Sequence, residues 1–412
     1  MRYIIVLGDG MADRPLPRFD GKTPLEAAYK PNIDRLCGCG VLGRMRTLYD
    51  DLPAGSDVAN LSVLGYNPYL YYTGRSPIEA LGLGIPVGDD DIVFRLNLVT
   101  LSDDEAFEQK TMVDYSSGRI STEEAAELIK ALASEFSSDL IQIHPGVSYR
   151  HIFILKKPDC KLDLTPPHDI LGQKISQFLP KGDMSGTLLD IMKKSYSLLS
   201  AHPVNASRVS RGLRPANCLW LWGQGKKPKY KLFSEVYGIK KGMAITAVPL
   251  VKGLAAGLGL DFCSVPGATG DYYTNYEGKA NAAIKALQNG YDFVFIHIEA
   301  PDECGHDGDA ELKKASIEQI DKFIVGPVWE AAHKLGEPFR LVVTPDHATP
   351  IETRSHTTDI IPFMLCDSRG SSHIPTGLNG GFGLSPYCER VAESSPVLIK
   401  NGYELMGLII ER

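Results

Sequence analysis

Phe293-Val294-Phe295-Ile296-His297-Ile298-Glu299-Ala300-Pro301-Asp302-Glu303-Cys304-Gly305-His306 opens with an almost wholly apolar run and then breaks into acids, a proline and a histidine. Such a continuous run suits a strand in a parallel sheet covered on both faces. Three further runs read the same way: Tyr3–Leu7, Met243–Val248 and Phe339–Thr344. Helical patterns lie between them. Thr274–Asn289 carries Ala280, Ala282, Ala283, Ile284 and Leu287, and Asp309–Val325 carries Leu312, Ala315, Ile317, Ile320 and Ile324. Strands alternating with helices predict an α/β, doubly wound core.

The middle of the chain has another texture. Residues 92–101 alternate apolar and polar, as do, roughly, Gln142–His144 and His151–Leu155, and the helix-like stretches Ser121–Glu135 and Leu188–His202 accompany them. Alternation predicts a sheet with one wetter face. The expected organisation is a discontinuous core, 1–88 with 232–412, holding an inserted α+β domain at 89–231. The Gly- and Lys-rich segment 223–242 is the expected return linker.

The composition is that of an ordinary globular chain of 412 residues, 43% hydrophobic and 23% charged, with net charge −7. No basic block stands out, so no nucleic-acid partner is expected. No apolar stretch is long enough for a membrane span, and the N-terminus reads as a first strand, so a cytoplasmic enzyme is expected. Of eight cysteines only Cys37 and Cys39 are close, without a second pair at zinc-site spacing. No pattern fixes an oligomeric state.

Acids and histidines gather where strands end. Asp9 follows the first strand, Asp302 and His306 follow the strand quoted above, Asp346 and His347 follow Phe339–Thr344, and His356 comes soon after. Ligands of open α/β sheets collect at those carboxyl ends. Taken singly, each Asp reads equally as a helix cap and each His as an ordinary surface or core residue. Together they are the donor set of a divalent-metal site. Ser56, in Ala54-Gly55-Ser56-Asp57-Val58-Ala59-Asn60, precedes a helix-like run. It is either a plain cap or a nucleophile where helix N–H groups favour a phosphate.

These motifs together resemble the cofactor-independent phosphoglycerate mutases, in particular their shorter archaeal-type branch within the alkaline phosphatase superfamily. The resemblance rests on Gly8-Asp9-Gly10-Met11-Ala12-Asp13, Gly55–Asn60, Tyr72-Thr73-Gly74-Arg75-Ser76-Pro77, Glu299–Gly308, Thr344-Pro345-Asp346-His347 and Ser355-His356. Within the insertion it rests on Ser148-Tyr149-Arg150-His151 and Pro215-Ala216-Asn217. It implies two divalent metals, Mn²⁺ first, with Mg²⁺, Zn²⁺ or Co²⁺ also admissible. One would be held by Asp9, Ser56, Asp346 and His347, the other by Asp302, His306 and His356. Ser56 would carry the phosphoryl group between the two hydroxyls of a phosphorylated glycerate. Arg150 and Arg208 are the implied anion ligands, while Arg211 and Arg214 lie where the family varies. Asp57, Asn205 and Asn217 are counted with the substrate residues, and His151 is either a general acid or a surface histidine. Arg75 braces the site or its loop. The longer bacterial enzymes place a lysine near the metals in a Glu-Lys-Tyr context. Here Val236 stands at that place in Glu235-Val236-Tyr237, and Lys252 is taken as the substitute. Related chemistry on another acceptor (a homoserine kinase or a phosphatase) and a non-enzymatic metal binder are the competing readings.

Overall fold

A computed structural model describes residues 1–103, 106–156 and 160–410. The chain divides into two compact units, Met1–Tyr72 with Tyr230–Arg412, and Thr73–Lys229.

In the first unit the described strands form an eight-stranded sheet. Its order is Asp261–Cys263, Gly242–Ile245, Phe293–Ile298, Arg2–Gly8, Phe339–Thr344, Ile361–Asp367, Val41–Met45, Leu398–Ile399. Neighbours are parallel except where Ile361–Asp367 pairs antiparallel on both sides. The first strand sits between the Phe293 and Phe339 strands, with Leu7 level with both His297 and Thr344. This register brings the three acid-bearing strand ends to one height. Phe293–Ile298 and Phe339–Thr344 are buried throughout, as continuous apolar runs require.

Caps set the helix limits. Asn275 accepts from the Gly278 amide and starts Tyr276–Gln288, and Asp309 does the same for Ala310–Ile320 through Leu312. The second helix widens into a π turn, Asp321–Val325, before Gly326–Lys334 continues. There the Asp321 carboxylate is tied to the Ile33 amide at 2.7 Å and to Asn32 at 3.0 Å. The strand expected over Met243–Val248 stops at Ile245, because the Thr246 hydroxyl takes the Val248 amide and Pro249 opens a helix.

The second unit is α+β. Ile92–Leu101 pairs antiparallel with Met112–Asp114, Arg150–Leu155 and Cys218–Lys226, and Ile141–Val147 pairs with Arg150–Leu155. Helices Thr122–Phe136 and Ser185–Ser200 pack Leu128, Leu132, Leu188 and Met192 against one face. Three expectations need correcting here. Ile92–Leu101 has no wet face, since all ten residues are buried. Its polar members find partners instead: Arg95 pairs with Glu79 at 3.3 Å, and Asn97 accepts from the Trp222 indole at 3.0 Å. The unit starts at Thr73, not at 89, because helix Arg75–Gly82 covers the second face, with Ala80 against Val93, Ile152 and Ile154. The return segment is shorter than 223–242, because the last strand runs to Lys226.

One buried ion pair staples the loops beside the sheet of the first unit. The Lys313 ammonium donates to Asp13 Oδ2 (2.7 Å), the Thr349 carbonyl (2.8 Å) and the Ala12 carbonyl (3.1 Å), and both charged side chains are fully buried. Removing one partner strands a charge without water. Asp13→Ala is therefore expected to lower unfolding stability by about 3–5 kcal/mol in urea titrations. A loss under about 1 kcal/mol would contradict this account.

Candidate active site

All seven side chains picked out for the metals and the nucleophile lie in the first unit, and they converge at the carboxyl ends of its strands. Asp9 leaves the first strand with its amide on the Ile298 carbonyl at 2.8 Å. Asp302 sits in the first turn of helix Ala300–Asp307. One turn on, His306 reaches back to it at 3.2 Å, as i,i+4 neighbours do. Ser56 is the first residue of helix Ser56–Val63. Gly10 follows Asp9 at φ +59°, and a Cβ there would lie 2.5 Å from both Asp302 Oδ1 and Thr349 Oγ1. Only glycine lets the two strand ends approach this closely.

The hydrogen-bond partners fix the histidine tautomers. The Thr349 hydroxyl gives its single hydrogen to Asp302 Oδ1, so the 3.2 Å contact to His347 Nδ1 carries a ring N–H. The lone pair on His347 Nε2 then points at Ser56 Oγ (3.1 Å), Asp9 Oδ1 (3.3 Å) and Asp346 Oδ2 (3.5 Å). His306 and His356 each turn Nδ1 to a backbone carbonyl, of Arg354 at 2.9 Å and of Ala54 at 3.1 Å. A carbonyl only accepts, so both Nδ1 atoms are protonated. Their Nε2 atoms face each other at 3.1 Å and face the Asp302 carboxylate at 3.2 and 3.5 Å. Asp9 Oδ1 is buried and has no hydrogen-bond donor.

Two groups of donor atoms result, Asp9 with Asp346 and His347, and Asp302 with His347 and His356, each within 4.8 Å. Imidazole nitrogens and carboxylate oxygens gathered this closely fit divalent cations. The charges behave accordingly. Burial, then the Asp346, Asp302 and Glu299 charges, pushes Asp9 well above the usual carboxylate range, and burial first lifts Asp346 to about 7. Burial also works against Asp302, yet hydrogen bonds from His306 and His356 outweigh it and hold that carboxyl low.

Supporting groups hold the ligands in place. Asp346 accepts from Asn60 Nδ2 at 2.8 Å, from the His347 amide at 2.9 Å and from the Gly10 amide at 3.1 Å. His297 Nε2 meets Asp9 Oδ2 at 2.8 Å, and Thr246 meets its Nδ1 at 3.2 Å. Neither Asn60 nor His297 was picked out from the sequence. Asn60 had a signal, its i+4 spacing from Ser56, whereas His297 interrupts an otherwise apolar strand and reads as a core residue. The buried lysine beside the site is Lys279, whose ammonium donates to the His297 carbonyl at 2.9 Å. Burial lowers it to about 8 against the Glu299 charge. Lys252, the sequence-based choice, is half-buried on helix Pro249–Leu258, and among the described residues its ammonium makes no hydrogen bond or ion pair.

The substrate residues fare differently. Arg150 is exposed in the second unit, beside the Tyr149 ring. Arg208 is buried and uses its guanidinium on the Arg214 carbonyl at 2.9 Å, the Ser117 carbonyl at 2.6 Å and Glu124. Asn205 holds the Leu199 and Ala216 backbone, and Asn217 brackets Leu101 with both side-chain atoms. All three are buried and spend these polar groups within the fold, as burial requires. His151 is 2% exposed, accepts from the Gly146 amide at 3.0 Å, and is pushed down to about 3 by burial. It is therefore an internal imidazole, not a surface histidine. Arg211 pairs with Glu124 and Arg214 with Asp114. Asp57 turns towards Tyr72. Arg75 pairs with Glu79 at 2.8 Å, and Arg95, missed from the sequence, stacks over Trp222.

Residues 38–205 match the family model described as 2,3-bisphosphoglycerate-independent phosphoglycerate mutase. A Methanothrix thermoacetophila protein of that name is 48% identical over 93% of this chain and 97% of its own. A Geobacter sulfurreducens protein named as a probable enzyme of the same kind is 43% identical over all of both chains. Among solved structures, a Pyrococcus horikoshii protein superposes with TM-score 0.80 at 30% identity, covering 99% of this chain and 96% of its own. The cofactor-independent phosphoglycerate mutase of Thermoplasma acidophilum gives 0.65 at 26%, covering 99% and 98%.

Two measurements follow. A group that orients a metal ligand is commonly worth about 10–100-fold in affinity, so His297→Ala is expected to weaken divalent-cation binding, probed with Mn²⁺ in calorimetry, by about that factor. In the metal-free protein burial works against the His306 charge, but Asp302 outweighs it and lifts the imidazole to about 9. His306 is then protonated at neutral pH and must release that proton to bind a cation. The binding enthalpy should therefore change with buffer ionisation heat, with affinity rising towards pH 9. A buffer-independent enthalpy at pH 7 would contradict it.

Proposed function

The chain belongs to the 2,3-bisphosphoglycerate-independent phosphoglycerate mutases, and on that premise we propose that it interconverts 3-phosphoglycerate and 2-phosphoglycerate through a phosphoserine at Ser56. Two divalent cations would be held by Asp9, Ser56, Asp346 and His347 and by Asp302, His306 and His356. The observation that carries the reading is the meeting of Ser56 Oγ with the His347 lone pair beside the donorless Asp9 Oδ1.

Bound there, the cations offset the buried carboxylates, lower the serine's pKa and stabilise the attacking and leaving oxygens. Ser56 Oγ forms its bond to phosphorus as the bond to the substrate's 3-oxygen breaks, and the serine proton ends on that oxygen. The glycerate then presents its 2-hydroxyl. That oxygen takes the phosphoryl group, the Oγ–phosphorus bond breaks, and the proton returns to Ser56. The first N–H groups of helix Ser56–Val63 favour the phosphoryl charge.

Arg150, Arg75 and Arg95 surround one acid, Glu79, in the second unit. Burial first, then the Arg75 and Arg150 charges, lowers Arg95 to about 10 while Glu79 opposes them. That surplus of guanidinium charge suits the carboxylate and phosphate of the substrate. Mn²⁺ is the favoured ion because the ligands mix carboxylate, hydroxyl and imidazole. The reaction would be a glycolytic step, which supports a cytoplasmic setting. Among the described residues no helix is long and apolar enough to cross a membrane.

Phosphorus NMR of 3-phosphoglycerate with protein and Mn²⁺ is expected to show 2-phosphoglycerate growing in without free phosphate. Turnover of ATP with homoserine alone, or release of phosphate alone, would sink the proposal.

A further inference from the structure

Asp57 follows the nucleophile directly, so a full negative charge stands one residue from a phosphoserine that itself carries about −1.5 to −2. A carboxylate free to turn would repel that group. Three features hold it back. The Val58 amide donates to Asp57 Oδ1 at 3.0 Å, and the Tyr72 hydroxyl donates to Oδ2 at 2.9 Å. The third is an empty space. A Cβ on residue 55 would lie 2.5 Å from Asp57 Oδ1, so the carboxylate folds back over the place where Gly55 has no side chain. Gly55 is extended, at φ −159°, so its need for glycine comes from this contact and not from backbone strain. Asp57 is only 3% exposed, and Tyr72 packs against the cluster of Leu48, Tyr49, Val58 and Ala59 around the nucleophile helix.

We propose that Tyr72 and Gly55 are positioning residues for phosphoryl transfer, acting through Asp57 to keep its carboxylate turned away from the phosphoryl group on Ser56. This assigns Asp57 an indirect part in place of the substrate contact expected from the sequence. It also gives Tyr72, the last residue of the first unit's N-terminal segment, a part in the chemistry. The inference rests on Ser56 being the phosphorylated residue.

The test is steady-state kinetics on the full-length, Mn²⁺-loaded enzyme with 3-phosphoglycerate. Tyr72→Phe frees Oδ2 while keeping the ring, and kcat is expected to fall about tenfold, the scale of one lost hydrogen bond to a charged group. KM should stay within twofold. Adding Asp57→Asn to Tyr72→Phe removes the repelling charge and should recover at least threefold of the loss. A role confined to packing would not be relieved by that second change. Unchanged kcat in Tyr72→Phe, or a loss that Asp57→Asn does not relieve, overturns the inference. Should Tyr72→Phe fail to fold, Gly55→Ala displaces the same carboxylate from the other side. Its kcat loss should be relieved by Asp57→Ala, and an unrelieved or absent loss again overturns the inference. Ser56→Ala, run in parallel, separates the two levels. If it stays active, the phosphoserine reading falls and this inference with it. If it is dead while Tyr72→Phe matches wild type, only the positioning role falls.

Discussion

His347 Nε2 points an unshared electron pair at two carboxylate oxygens and a serine hydroxyl, while the Nε2 atoms of two more imidazoles face each other. Each Nδ1 is already committed to a carbonyl or to Thr349, so it is the Nε2 atoms that face the carboxylates. The crowding of buried carboxylates is electrostatic, and divalent cations would offset it. Much of the surrounding structure serves to maintain it. The three-strand register levels the acids, Gly10 lets two strand ends touch, and Asn60, His297 and the Lys313–Asp13 pair keep the ligand loops from relaxing into a self-satisfied arrangement.

Division of labour between the two units follows from what each buries. The first packs a sheet whose carboxyl ends collect charge. The second surrounds a sheet with helices and keeps its few polar groups occupied, so that Arg208, Asn205 and Asn217 support loops and strand ends. Arg150 differs, being exposed and, among the described residues, without a backbone partner for its guanidinium, which is the state a group needs if it is to meet an anion.

How much was legible in the sequence depended on whether a signal was local. The strands Tyr3–Leu7, Phe293–Ile298 and Phe339–Thr344 were, because a strand buried on both faces must be apolar throughout, and the acids beyond them mark its end. Thr122–Phe136 was, through its alternating faces and Ser121 cap. Strand Ile92–Leu101 was misread as half-wet because Arg95 and Asn97 are satisfied by Glu79 and Trp222, residues far away in the chain. The sequence boundary at 88/89 leaves residues 75–82 with the core, whereas they group with Thr73–Lys229, and nothing in these residues says which sheet they will cover. A buried asparagine that brackets a strand and one that grips a ligand have the same letter and the same neighbours. Only the folded chain separates them.

The strand that begins the protein lies between two strands made from its last third, and the metal ligands are split in the same way. A ribosome therefore delivers Asp9 and Ser56 long before the partners that complete their pocket. The N-terminal strand must wait, its two edges unpaired, while the whole second unit emerges and folds. Long-range pairing of this kind is slow and exposes sticky edges in the meantime. It also means that a chain ended before Asp346 and His347 lacks residues of both candidate donor groups.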